Sequence, residues 1–202
     1  MITTQKMMAM FTETADAFVE EMVAGSCDFA EDYQRFQEAI NYLKASLDEK
    51  VNHSVDDLVG AIRRQTISNW LFSSYLGFQA NLDHFINPVA CTFADVDPEI
   101  YLRESVAKAL PEYASAQAII DSFWRQLTPE QEEVFEAVSA YIAHLETVVP
   151  KMAHYYGFLI GNELLSCVVP GYQPDMQLTV RYCMMLEGFL QFRLETNTKL
   201  LQ

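Results

Sequence analysis

The chain of 202 residues holds only seven glycines and seven prolines, too few to turn the many corners of an all-β fold. No stretch alternates polar and apolar residues in the manner of a half-buried strand. No run reaches the ~18 apolar residues a membrane span requires, because His154, Asn162 and Glu163 interrupt the best candidate. The apolar cluster Met7 to Phe11 meets Glu13 and Asp16 at once, so it is too short for the core of a secretion signal. Cys27, Cys91, Cys167 and Cys183 are widely spaced and form no C-x-x-C pair. Without an export signal they are expected to be reduced, mostly buried thiols in a cytoplasmic protein.

Positive charge is also scarce. Lys and Arg number 13 against 28 acids, a formal net charge of −15, with the acids spread over both halves. Such a balance repels phosphate backbones and anionic lipid, which excludes direct nucleic-acid and membrane partners. Its plain consequence is solubility. A sharper reading, in which the chain imitates the charge of DNA, requires carboxylates in ordered rows on one face.

Catalytic signatures are missing as well. A carboxylate-bridged di-iron bundle needs Glu-x-x-His on two helices. The residues three before His53, His84, His144 and His154 are Lys50, Asn81, Tyr141 and Lys151, none of them acidic. No zinc-ligand spacing, nucleophile elbow or phosphate-cradling glycine loop occurs. The sequence therefore assigns no catalytic residue, no metal ligand and no cofactor. The acids Glu130, Glu132, Glu133 and Glu136 are explained by the positive end of a helix dipole.

What is present is helical periodicity almost from end to end, so the fold class is all-α, a bundle of six to eight helices. A first helix is expected over Thr3 to Ala24 and a second over Phe29 to Val51, with Tyr33, Phe36, Ile40, Leu43 and Leu47 on a 3-4 seam. Ser54 and Asp57 form a capping box for a third. It carries Leu58, Ile62, Trp70, Tyr75, Phe78, Leu82 and Phe85 and ends before Pro88. Further helices are expected to start near Pro98, at Pro111, at Thr128-Pro129 and at Pro174. Pro150 should kink or break the one that begins at Thr128.

Gly77, Gly157 and Gly161 lie inside helical patterns, where each costs roughly 1 kcal/mol relative to alanine. They are expected where another helix comes very close. Ser74-Tyr75-Leu76-Gly77-Phe78 recurs as His154-Tyr155-Tyr156-Gly157-Phe158, and Phe36 to Tyr42 echoes Phe135 to Tyr141. The chain is read as one helical domain, 1–202, with two similar halves, 1–90 and 98–202, as the alternative organisation.

Leu127-Thr128-Pro129-Glu130-Gln131, then Phe135, Tyr141 and Tyr156-Gly157-Phe158-x-x-Gly161-x-x-Leu164, resembles short uncharacterised bacterial helical proteins of about half this length. Those end in a Y-G-F-x-x-G-x-x-L helix. The resemblance covers roughly a fifth of the chain, rests on common helical residues and departs at Pro150. It implies a helical hairpin and nothing catalytic.

Two functional expectations follow. The first is a non-enzymatic interaction protein that forms homo-oligomers or meets a protein partner. The second is a ligand-binding or enzymatic bundle whose pocket is lined by Trp70, Tyr155, Tyr156 and Glu163. In that reading Glu163 is a carboxylate partnered by Arg63, Arg64, Arg181 or Arg193. Otherwise it tips to solvent in a polar stripe with Asn162 and Ser166.

Overall fold

The computed structural model describes residues 27–47, 53–87, 110–177 and 179–180. They contain four α-helices and no strand: α1 (Cys27–Ser46), α2 (Val55–Ile86), α3 (Pro111–Trp124) and α4 (Pro129–Val168). The helices expected over Thr3 to Ala24 and from Pro98 lie outside the described residues.

The helix starts follow from local chemistry. Ser54 accepts the Asp57 N–H at 3.1 Å, and the Asp57 carboxylate accepts the Ser54 N–H at 2.9 Å. These hydrogen bonds to Ser54 hold the Asp57 carboxyl below its usual range. Thr128 and Gln131 repeat the arrangement ahead of Pro129, whose missing N–H is no loss in a first turn.

Contacts fix the helix directions. Asp32 meets His144 and Phe36 stacks on Tyr141 at 4.5 Å, so α1 runs antiparallel to α4 and rests on it. Gln117 meets Gln65, and Gln126 donates to the His53 carbonyl at 2.9 Å, so α3 runs antiparallel to α2 and rests on that helix. The most extensive contact joins α2 and α4. Gln65 with Glu146 and Asn81 with Asn162 are each 81 residues apart, so these two helices run parallel. α1 thus packs chiefly on α4, and α3 on α2.

The core lies where all four helices meet. Phe36 and Leu43 of α1, Leu58 and Ile62 of α2, Ile120 and Phe123 of α3, and Phe135, Val138 and Tyr141 of α4 are buried there. Burying a side chain of this size stabilises the fold by roughly 1.5–3 kcal/mol. A polar knot closes one side of this core: Gln65 donates to Gln117 at 2.8 Å and to Glu146 at 3.1 Å, and Tyr113 donates to Glu146 at 2.9 Å.

Pro150 does not end its helix. α4 runs unbroken from Pro129 to Val168 with Pro150 buried inside it, which corrects the expected break. Proline removes one backbone hydrogen bond, that to the Glu146 carbonyl, at a cost of about 3 kcal/mol. Buried Val149, Met152 and Ala153 on either side offset this loss. The helix stops at Val168, and the following Gly171 takes φ 79°, a left-handed conformation that favours glycine.

Candidate functional site: the glycine crossing and its polar end

Beyond the core, α2 and α4 approach until backbone meets backbone. A Cβ added at Gly77 would stand 1.9 Å from the His154 carbonyl oxygen, and one added at Gly157 would stand 1.9 Å from the Ser74 carbonyl oxygen. The two contacts are reciprocal: shifting by 80 positions carries Ser74 to His154 and Gly77 to Gly157. At Gly161 a Cβ would fall 2.9 Å from Cβ and Cγ of Asn81, so this glycine makes room for a side chain.

The echo of Ser74–Phe78 in His154–Phe158 therefore joins positions that face one another. The second echo does not. Phe36 belongs to α1 and stacks on Tyr141 of α4, which is not its counterpart in the echo.

Asn162 organises the polar end of the crossing. Its Oδ1 accepts Asn81 Nδ2 at 2.7 Å and the Tyr172 hydroxyl at 2.8 Å, while its Nδ2 donates to Thr179 Oγ1 at 2.9 Å. His84 Nε2 lies 3.2 Å from Asp175 Oδ2, and the Phe85 and Tyr172 rings meet edge to face at 5.2 Å. Together these contacts strap the segment after Pro170 onto the end of α2. Burial pushes the Tyr172 hydroxyl pKa up, a nearby Asn81 hydrogen bond opposes the rise, and Asp175 adds to it.

Two buried atoms of this end lack a hydrogen-bond partner, Asn81 Oδ1 and His84 Nδ1. The Asn81 side chain, Oδ1 included, occupies the space that a Cβ at Gly161 would need.

The residues of the expected pocket separate. Trp70 is buried and its ring meets that of Tyr156 at 5.7 Å. Tyr155 is buried in a cluster with Phe158, where desolvation raises its pKa. Glu163 is exposed, whereas Trp70 and Tyr155 are buried. Arg63 and Arg64 are exposed as well, while Arg181 and Arg193 lie outside the described residues.

Asn162 also leaves the exposed stripe expected with Glu163 and Ser166: its side chain is buried, while theirs are exposed and Ser166 Oγ donates to the Asn162 backbone carbonyl at 2.7 Å. Cys167, expected to be buried, is exposed and free; the other three thiols are not described.

Chemically, the His84–Asp175 pair is half of a proton relay. In that turn Thr179 Oγ1 donates to the Asp175 backbone carbonyl at 2.8 Å, and the Tyr172 hydroxyl donates to Asn162 Oδ1. The second histidine–carboxylate pair, His144 Nδ1 with Asp32 Oδ2 at 2.9 Å, ties α1 to α4. His154 is 4 % exposed, and burial pushes its pKa down to about 4, so it is neutral near pH 7.

Among the described residues no group of three or more His, Cys, Asp or Glu converges as a metal site requires, and no helix is long and apolar enough to cross a membrane. Sequence reasoning missed Asn81 and Tyr172. Asparagine at a helix crossing has no periodic signature, and Tyr172 sits in a turn. No family model matches the chain, and comparisons with curated proteins and with solved structures find no match.

Proposed function

We propose that this protein is a non-enzymatic helical interaction protein of the cytoplasm that self-associates. In this reading the full chain forms six to eight helices arranged as two similar halves. One observation carries the proposal. The glycine crossing occupies one face of α2 and one of α4, yet large apolar side chains at the far ends of both helices stay open to solvent. Phe85 and Ile86 on α2, and Leu164 and Val168 on α4, are 43, 75, 48 and 71 % exposed. Met176 and Val180 extend the exposed group beyond α4. Apolar surface left open on a rigid scaffold marks an interaction site.

The alternative, a ligand-binding or enzymatic bundle, requires Glu163 to share a cavity with Trp70, Tyr155 and Tyr156. The exposure of Glu163 counts against it.

Self-association of a chain carrying a net charge of −15 works against its own repulsion. Salt screens that repulsion, so added salt should strengthen assembly. Size-exclusion chromatography with light scattering, run over a range of protein and salt concentrations, tests the reading. A rise in mass with both is expected; one protomer's mass throughout would overturn it.

A further inference from the structure

α2 carries a second apolar line that faces away from the crossing. Leu71, Tyr75, Phe78, Leu82 and Phe85 follow at steps of four, three, four and three, the 3.5-residue repeat of a helix–helix seam. By the 3.6-residue turn this line lies roughly 120° around the helix from Gly77. Tyr75 is 58 % exposed, Phe85 opens to solvent as above, and Leu71, Phe78 and Leu82 are half-buried.

The reciprocity of the crossing supplies a comparison within the molecule. The shift that carries Gly77 to Gly157 also carries Tyr75 to Tyr155, Phe78 to Phe158 and Phe85 to Leu165. On α4 those three side chains are only 6, 3 and 6 % exposed. Tyr75 and Phe85 are open on α2 where their counterparts on α4 are covered.

The open line has uncharged flanks. Phe72, Gln79 and Ile86 border it on one side, Ser74 and Asn81 on the other, and between Leu71 and Ile86 only Asp83 carries a fixed charge. Charges at the flanks of a helical seam select a different partner or oppose self-pairing. Here they do neither, in a chain that is otherwise strongly acidic. Its three aromatic and three aliphatic side chains, Ile86 included, offer on the order of 600 Å² a side, near the ~800 Å² each partner gives a stable interface.

We propose that two copies of this chain pair through this open line on α2, each laying Leu71 to Phe85 along the other's. The proposal rests on the self-association above and adds the face that carries it. Gln79 is exposed at the edge of the line, so a Gln79→Cys variant of the full chain brings two new thiols together across the pair. Mild oxidation should give a disulfide-linked dimer well above the unmodified chain's background. Adding Tyr75→Glu and Ile86→Glu should abolish the link and weaken dimerisation at least tenfold. Both residues are exposed, so the helical circular-dichroism signal should be unchanged.

A dimer by light scattering with no excess cross-link would overturn this face while leaving self-association standing. A monomer at every concentration would overturn both. Loss of the new thiol without a dimer band would mean the line is covered from within its own chain, which also overturns the proposal.

Discussion

The Asn81 amide donates to the Asn162 side-chain oxygen at 2.7 Å, directly beside the glycine that gives it room. Asn162 is the shared partner of Asn81, Tyr172 and Thr179; truncating it takes the acceptor from the Asn81 amide and the Tyr172 hydroxyl, while Thr179 keeps its bond to the Asp175 carbonyl. An unpartnered buried group costs about 1–3 kcal/mol. Asn162→Ala should therefore lower stability by about 3 kcal/mol in urea unfolding. Tyr172→Phe, which removes one arm, should cost about 1 kcal/mol. The double variant should cost less than the sum of the two, because both break the same bond.

Three glycines of α2 and α4 should respond to alanine in opposite directions. At Gly77 and Gly157 the new methyl would overlap a backbone carbonyl that cannot rotate away, so the helices must separate. A loss of about 2 kcal/mol or more is expected even after the gain of about 1 kcal/mol in helix propensity. At Gly60 the nearest atom is Arg64 Nη1 at 3.4 Å, the far end of a flexible side chain. There the propensity gain prevails, and Gly60→Ala should stabilise by about 0.5–1 kcal/mol. Denaturation midpoints of the three single variants check the contrast.

Buried His154 should make the fold sensitive to mild acid. Its folded pKa of about 4 lies below the ordinary 6.5. As pH falls from about 6.5 toward 4, the unfolded chain takes up a proton that the folded chain refuses. Stability then declines by up to about 1.4 kcal/mol per pH unit from this group, and the decline levels off below pH 4. Urea midpoints between pH 4 and 7 should fall more steeply for the native chain than for His154→Gln. Identical slopes would mean that His154 takes up its proton in the fold as readily as in the unfolded chain.

Gln131 does two jobs at the top of α4. It completes the Thr128 capping box, and its amide reaches the Ser46 carbonyl at 3.1 Å, joining the start of α4 to the end of α1. Thr128→Ala should cost about 1 kcal/mol, the ordinary value of a cap. Gln131→Ala should cost more, about 2 kcal/mol, because a buried tie to α1 is lost as well. Hydrogen exchange offers a second check, with faster exchange in the last turn of α1 expected only for Gln131→Ala.

Helix starts were legible because their signals are local. Ser54 with Asp57 and Thr128-Pro129 with Gln131 each name a cap within four residues, and both are present. The helix-lining glycines could be read from the cost that an interior glycine carries. The route through Pro150 was not legible, since what holds the helix together there is burial of Val149, Met152 and Ala153. No rule of local sequence supplies that. Nor could periodicity divide the apolar residues of α2: Leu58, Ile62 and Trp70 are buried, whereas Tyr75 and Phe85 are exposed. Which side of a long helix is covered depends on neighbours some 80 positions away.

Pro150 has a mechanical consequence. Its missing bond sits just past Glu146, where the bracing of α4 by Tyr113 of α3 and Asp32 of α1 gives way to its contact with α2. A rod of 40 residues, about 60 Å long at 1.5 Å per residue, is thereby weakest in bending close to its middle. A load applied at the Val168 end would flex α4 at that joint before it disturbed the packing around Phe135 and Tyr141.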